Sequence, residues 1–272
     1  MENVLFFFAD LPVYSYGFML GVGLILGSVL AQREGKRKGF SGDFIFQFIV
    51  QVTIVFVVVG RVAAVFPVYR WRTLLYPWTL FSSTQLDEVR GAIGAVIYTV
   101  YFLIRYVDEV ASFLDIFTPP LALLQSLAYL GSSVLGRETV GPWGVDLGEF
   151  NLQPLPLYGA MCYYFIFSVL WRCRRNLRYD GQLFLGYMTL SAIAQRILMS
   201  VREVSGESTN PWLYTLAALL FAFAWLYVYL ASPLTDSRRR RTLGDWRAWL
   251  FYLASLLGVG LVMVKFFYWR FS

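Results

Sequence analysis

Apolar stretches of about 17–25 residues recur along this chain, and each is long enough to cross roughly 30 Å of hydrocarbon as a helix. A soluble core helix rarely stays apolar all round for that length. Composition agrees: 58% of the 272 residues are hydrophobic and 15% charged, where a soluble domain carries about 25% charged residues. We read spans at about 14–32, 44–66, 91–105, 113–135, 157–172, 182–201, 212–232 and 247–268. The third and fifth are short, and Gln195 and Arg196 interrupt the sixth. The expected fold is all-α, a polytopic membrane helix bundle.

A net charge of +6 and a pI near 9.3 do not point to nucleic acid, because the basic residues sit in short loops between apolar runs, where they encode topology. With the N-terminus outside, the inside loops hold Arg33, Lys36, Arg37, Lys38, then Arg105, then Arg172, Arg174, Arg175 and Arg178, then Arg238 to Arg241 and Arg247. The outside segments hold fewer, so the rule that basic loops stay in the cytoplasm predicts an N-terminus outside. Met1-Glu2-Asn3 lacks the basic start of a secretory signal peptide, so the first apolar run is expected to stay in the protein.

Cys162 and Cys173 lie roughly 16 Å apart if they share one helix, too far to pair with each other. The chain has no histidine, which removes the commonest proton shuttle near neutral pH and the commonest metal ligand. No phosphate-binding glycine-rich loop, metal cluster or serine-hydrolase elbow is present. Neither a metal nor a cofactor is expected.

Two outer segments stand out. Residues 67–90 carry Trp71, Tyr76, Trp78 and Phe81, suited to headgroup depth. Residues 136–156 are too rich in Gly and Pro to continue a helix. Both suit either a cover over a lateral opening to the bilayer or a structural belt. A charge at mid-bilayer is costly, so a deep arginine pairs or faces a polar cavity. Arg61, near the outer end of the second span, fits an anion contact or a snorkelling side chain. Arg196 fits a polar cavity or a misplaced helix end, and Arg90 a phosphate ligand or a helix anchor. Tyr14 and Tyr16 precede Gly17 at a span boundary, where tyrosine is an aromatic-belt residue by default. Asp115, with Thr118-Pro119-Pro120 behind it, suggests a capped or broken helix entering the membrane.

At these positions the chain resembles the bacterial phosphatidylglycerol–prolipoprotein diacylglyceryl transferase family. Tyr14-Ser15-Tyr16-Gly17 is similar to the aromatic-x-Tyr-Gly start of its first helix, and Gly60-Arg61-Val62 to its Gly-Arg-Ile/Val. Arg90-Gly91-Ala92 lies where that family has His-Gly-Gly, and Asp115 with Pro119 resembles its Asp-x-x-x-Pro. Gly136-Arg137 through Pro142-Trp143-Gly144-Val145, then Leu157-Tyr158, then Gly181-Gln182-Leu183-Phe184 follow in the family's order. The resemblance implies a seven-span domain over residues 1–235. Residues 236–272 are expected to form a basic linker and an extra C-terminal span.

In that family a diacylglyceryl group passes from phosphatidylglycerol to a lipobox cysteine, so the attacking thiol must ionise and cations must hold the departing phosphate. The departures fall on that chemistry. The family's histidine is Arg90, which cannot act as a base. Its Arg-x-Gly-Asn/Cys becomes Tyr129-Leu130-Gly131-Ser132, and its His-Pro-x-Gln-Leu-Tyr-Glu becomes Gln153-Pro154-Leu155-Pro156-Leu157-Tyr158-Gly159. In its late Tyr-Gly-x-x-Arg-x-x-x-Glu-x-x-Arg, the arginines fall on Gln195 and Arg202; Arg196 fits only after a one-residue slip, about 100° around a helix.

The residues nominated for lipid and phosphate binding are Tyr16, Gly17, Arg61, Arg90, Gly136, Arg196 and Arg202; no catalytic residue is assigned. Three readings stand: a divergent homologue that keeps a phospholipid cavity and acts as a lipid-binding or scaffolding subunit; an active transferase with rearranged residues; and an unrelated transporter or channel. The partners implied are a phospholipid such as phosphatidylglycerol, a prolipoprotein, and another membrane protein docked on 247–268. The location implied is the bacterial inner membrane.

Overall fold

The computed structural model describes residues 4–8, 11–69, 86–146, 151–202, 211–231 and 246–271. The aromatic segment at 70–85 and the basic run Arg238 to Arg241 lie outside them. A short hairpin, β1 (Val4–Phe8) with β2 (Leu11–Tyr14), precedes α1 (Ser15–Arg37), α2 (Gly42–Tyr69), α3 (Glu88–Tyr106) and α4 (Val110–Gly131). Two-residue strands β3 (Val145–Asp146) and β4 (Asn151–Leu152) pair antiparallel ahead of α5 (Leu155–Cys173). Then come α6 (Gln182–Val201), α7 (Pro211–Ala231) and α8 (Trp246–Phe271). Seven of these helices are long and apolar enough to cross a membrane. The exception, α5, contributes to both buried cores of the larger unit, and its 19 residues would still span about 28 Å. The hairpin is a departure from the reading above, which placed no strand before α1.

The chain forms two compact units, residues 31–113 and residues 1–30 with 114–272. In the smaller unit α2 packs along α3, and Phe44, Phe48, Phe102 and Phe113 form one aromatic cluster with ring centroids 4.8–6.1 Å apart. In the larger unit, Tyr163, Ile166 and Leu170 of α5 are buried against Leu183, Tyr187, Ala194 and Leu198 of α6. A second core joins Leu130 of α4 and Leu157 and Ala160 of α5 to Met263 and Phe267 of α8. Helix α7 has no buried residue, as expected of an all-apolar helix that meets lipid.

Two local expectations are corrected. The fourth helix is neither capped at Asp115 nor broken: it starts at Val110 and runs through Pro119 and Pro120. Fully buried Asp115 serves another helix, accepting from the backbone N–H of Gly181 (2.9 Å) and of Phe184 (3.0 Å). These are orphan donors in the first turn of α6, where a carboxylate also meets the positive end of the helix dipole. Gly181 holds φ at +90° to make that turn, a conformation that favours glycine. The fourth helix also ends at Gly131, short of residue 135, and Ser15 Oγ donates to the Gly131 carbonyl there at 2.8 Å. Asp115→Ala should cost about 3 kcal/mol, since two charge-assisted bonds go and buried donors are left bare. A fall in thermal midpoint of the purified protein, restored in part by Asp115→Asn, checks it.

Candidate functional site

Within the larger unit, the starts of α1 and α5 and the ends of α4, α6 and α8 lie together. Ser15 bonds Gly131, Gly136 N–H donates to Gln153 O (2.9 Å), Arg137 N–H donates to Val201 O (2.9 Å), and Arg270 reaches Leu130 O (2.8 Å). Just inside this end is a neutral polar cluster. The rings of Tyr129 (α4) and Tyr163 (α5) stack at 5.4 Å and 15°. Gln195 of α6 donates one Nε2 hydrogen to each hydroxyl, at 3.0 Å to Tyr129 and 2.9 Å to Tyr163. Tyr187 Oη donates to Gln125 Oε1 at 2.6 Å. Buried polar atoms in lipid-facing helices need such partners, and the Gln195 amide suits two phenols at once. Because Gln195 donates both bonds, each phenol keeps its own proton to offer a ligand.

The glycine at 159 belongs to this cluster. A Cβ there would lie 2.3 Å from Tyr129 Cδ1, so the tyrosine ring occupies the volume a side chain would need. Arg196, next to Gln195, is exposed, since one residue turns the helix by about 100°. Gly136 is buried, and a Cβ there would lie 2.7 Å from Val201 O. Arg137 Nε donates to the Arg202 carbonyl at 3.1 Å, which brings two exposed arginines to the rim of the cluster. Tyr16 is half-buried, and Gly17 is exposed with open space around it.

Arg61 and Arg90 belong to the smaller unit. Arg61 is half-buried on α2. Arg90 stands at the mouth of an apolar groove of about 1050 Å³ between α2 and α3, lined by Val55, Val59, Val62, Ile93, Ile97 and Tyr101 among others. Its Nη1 donates to Ala63 O (3.1 Å) and lies 3.3 Å from Asp87 Oδ2. From Arg90 to Tyr101 the groove follows α3 for about 16 Å at its helical rise. Both cysteines are free thiols.

Sequence reasoning did not find Tyr129, Tyr163 and Gln195 as one set, nor Arg137 and Arg270 as site residues. The usable signal was the register of the late motif, which without a slip puts Gln195, not Arg196, inward.

Known proteins resemble this chain over most of its length. The sequence model of the prolipoprotein diacylglyceryl transferase family matches residues 3–230, stopping ahead of α8. A phosphatidylglycerol–prolipoprotein diacylglyceryl transferase of Clostridioides difficile is 25% identical over 220 residues, covering 75% of this chain and 85% of its own. One of Finegoldia magna is 24% identical over the same shares, and one of Clostridium tetani is 24% identical over 82% of this chain and 97% of its own. With a match that runs from the hairpin to the end of α7, the chain belongs to the prolipoprotein diacylglyceryl transferase family.

Proposed function

We propose that this chain binds a phospholipid such as phosphatidylglycerol, lacks the standard transfer chemistry, and acts as a lipid-binding or scaffolding subunit of the bacterial inner membrane. The observation that carries this reading is the contact set Tyr129–Gln195–Tyr163 over Gly159. In the ungapped correspondence, the arginine of the family's Arg-x-Gly motif falls on Tyr129, the first arginine of its late motif on Gln195 (the second is kept as Arg202), and the glutamate of its His-Pro motif on Gly159. Three departures scattered in sequence are therefore one spatial change, from a charged set to a neutral one in which the ring fills the space left at Gly159. The neutral set still offers donors for ester or hydroxyl oxygens. Without a cation at those places, a phosphate leaving group loses the electrostatic help that such reactions depend on.

The α2–α3 groove supports the lipid half of the reading. An apolar channel about 16 Å long at helical rise, with a guanidinium at its mouth, suits acyl chains below an anionic head. Arg90→Gln should weaken retention of phosphatidylglycerol about tenfold, the worth of one charge-assisted contact. Retention of diacylglycerol, which lacks the phosphate, should stay unchanged. Labelled-lipid co-purification measures both; equal retention of phosphatidylglycerol by wild type and variant would remove Arg90 from the site.

An active transferase, moving diacylglyceryl from phosphatidylglycerol to a lipobox cysteine, is the second reading, and the paired Arg137 and Arg202 at the rim favour it. A reconstituted preparation with labelled phosphatidylglycerol and a lipobox peptide separates the two. Lipid held with no label on the peptide supports the first reading. Turnover lost in Arg202→Ala establishes the second.

We propose, from the basic loops, that the N-terminus lies outside, which would put Cys173, at the end of α5, in the cytoplasm. A membrane-impermeant maleimide should modify exposed Cys173 only after the cells are opened. Labelling of intact spheroplasts would reverse the orientation.

A further inference from the structure

We infer that Arg270, on the helix beyond the family match, is the cation of a second anion seat, at the end of α4, that takes the phosphodiester of an anionic phospholipid. The inference rests on the phospholipid reading above and names a holding group for it. Helix α8 is fixed in the larger unit by Met263 and Phe267, buried against Leu130, Leu157 and Ala160. Tyr268 Oη donates to the Trp143 carbonyl in the loop between α4 and α5. One turn beyond Phe267, Arg270 turns its guanidinium onto the end of α4. Nη1 donates to Leu130 O (2.8 Å) and to Ser15 Oγ (3.3 Å), and Nη2 donates to Ser132 O.

All of these partners are neutral. Among the described residues no carboxylate pairs with Arg270, and its Nε is buried with no hydrogen-bond partner. Carbonyls at a helix C-terminus carry only about half a negative charge between them. A half-buried guanidinium in a membrane helix calls for a full counter-charge, and the described residues offer none there. The missing charge is therefore met from outside, and at a helix end in a membrane the abundant anion is a lipid phosphate. The location adds to this: Arg270 bonds the residues on either side of Gly131, directly after Tyr129. A guanidinium has been returned, from a helix the family match does not cover, to the stretch whose motif arginine is missing.

An arginine that merely capped α4 would make the same backbone bonds, so the test must read charge. Full-length protein in nanodiscs is loaded with labelled phosphatidylglycerol or labelled diacylglycerol. Wild type should retain phosphatidylglycerol about tenfold better, as a charge-assisted bond implies. In the Arg90→Gln background, which removes the groove's own contact with the phosphate, Arg270→Gln, which can still cap but carries no charge, should bring the two lipids close to parity, and Arg270→Lys should keep most of the preference. An undiminished preference in the glutamine variant overturns the seat. Loss in the lysine variant equal to that in the glutamine variant overturns the charge argument. Wild type that retains no phosphatidylglycerol defeats the phospholipid reading itself, and this inference with it. Inorganic phosphate should not displace the lipid; displacement by phosphate alone overturns the lipid assignment. Should the glutamine variant fail to fold, phosphatidylglycerol with a diazirine in its head group tests the wild type directly. Adducts on residues 130–132 or 268–271 support the seat, and their absence there overturns it.

Discussion

Gly159→Glu is expected to prevent the larger unit from folding, and a second change, Tyr129→Arg, to restore it. The single variant puts a Cβ 2.3 Å from Tyr129 Cδ1, on a ring already stacked on Tyr163. Overpacking of this kind costs about 1–3 kcal/mol, and the glutamate would leave a buried carboxylate unpaired, worth about 3–5 kcal/mol more. Together they approach the whole stability of an ordinary domain, about 5–15 kcal/mol. Arginine at 129 removes the ring from that volume and gives the carboxylate a partner. Thermal unfolding of the two single variants and the double variant forms a cycle with a large favourable coupling. Additive losses would mean that positions 129 and 159 do not trade with one another.

Gly91→Leu is the second large effect. A Cβ at Gly91 would fall 2.8 Å from the Phe56 carbonyl oxygen, and helix backbone cannot swing aside as a side-chain tip can. Close contact between membrane helices depends on such small residues, so α3 would have to lift off α2. A loss of about 3 kcal/mol or more is expected, together with loss of the lipid groove. Two controls bracket it. At Gly94 the obstructing atoms are Val59 side-chain carbons at 2.9 Å, so Gly94→Ala should cost less. At Gly17 nothing lies within 4 Å, and Gly17→Ala should change stability by less than about 0.5 kcal/mol. Hydrogen exchange across 42–106 reads the difference; equal protection in all three variants would contradict the packing account.

The helices were legible because apolar length is a local property, and all eight expected spans are helices with ends within a few residues of those read. What was not legible lay in contacts between distant residues. Asp115 looked like a cap of its own helix, and nothing local says that it serves Gly181 and Phe184 of α6. Adjacent Gln195 and Arg196 are equally polar in a window, and only packing decides that glutamine faces inward to two tyrosines while arginine faces out. Nothing local marks Arg270 as a site residue, since its partners Ser15 and Leu130 lie at the far end and the middle of the chain. The departures at Tyr129, Gly159 and Gln195 were visible singly. That they form one set was not, because their spacing fits no helical repeat.

A single-turnover transfer measurement tests the central claim most directly. Protein in molar excess over acyl-labelled phosphatidylglycerol is mixed with a lipobox peptide, and label is followed on lipid, protein and peptide. The account predicts that the label stays in intact phosphatidylglycerol held by the protein, with none on the peptide. Diacylglyceryl-peptide appearing with release of glycerol phosphate would contradict it.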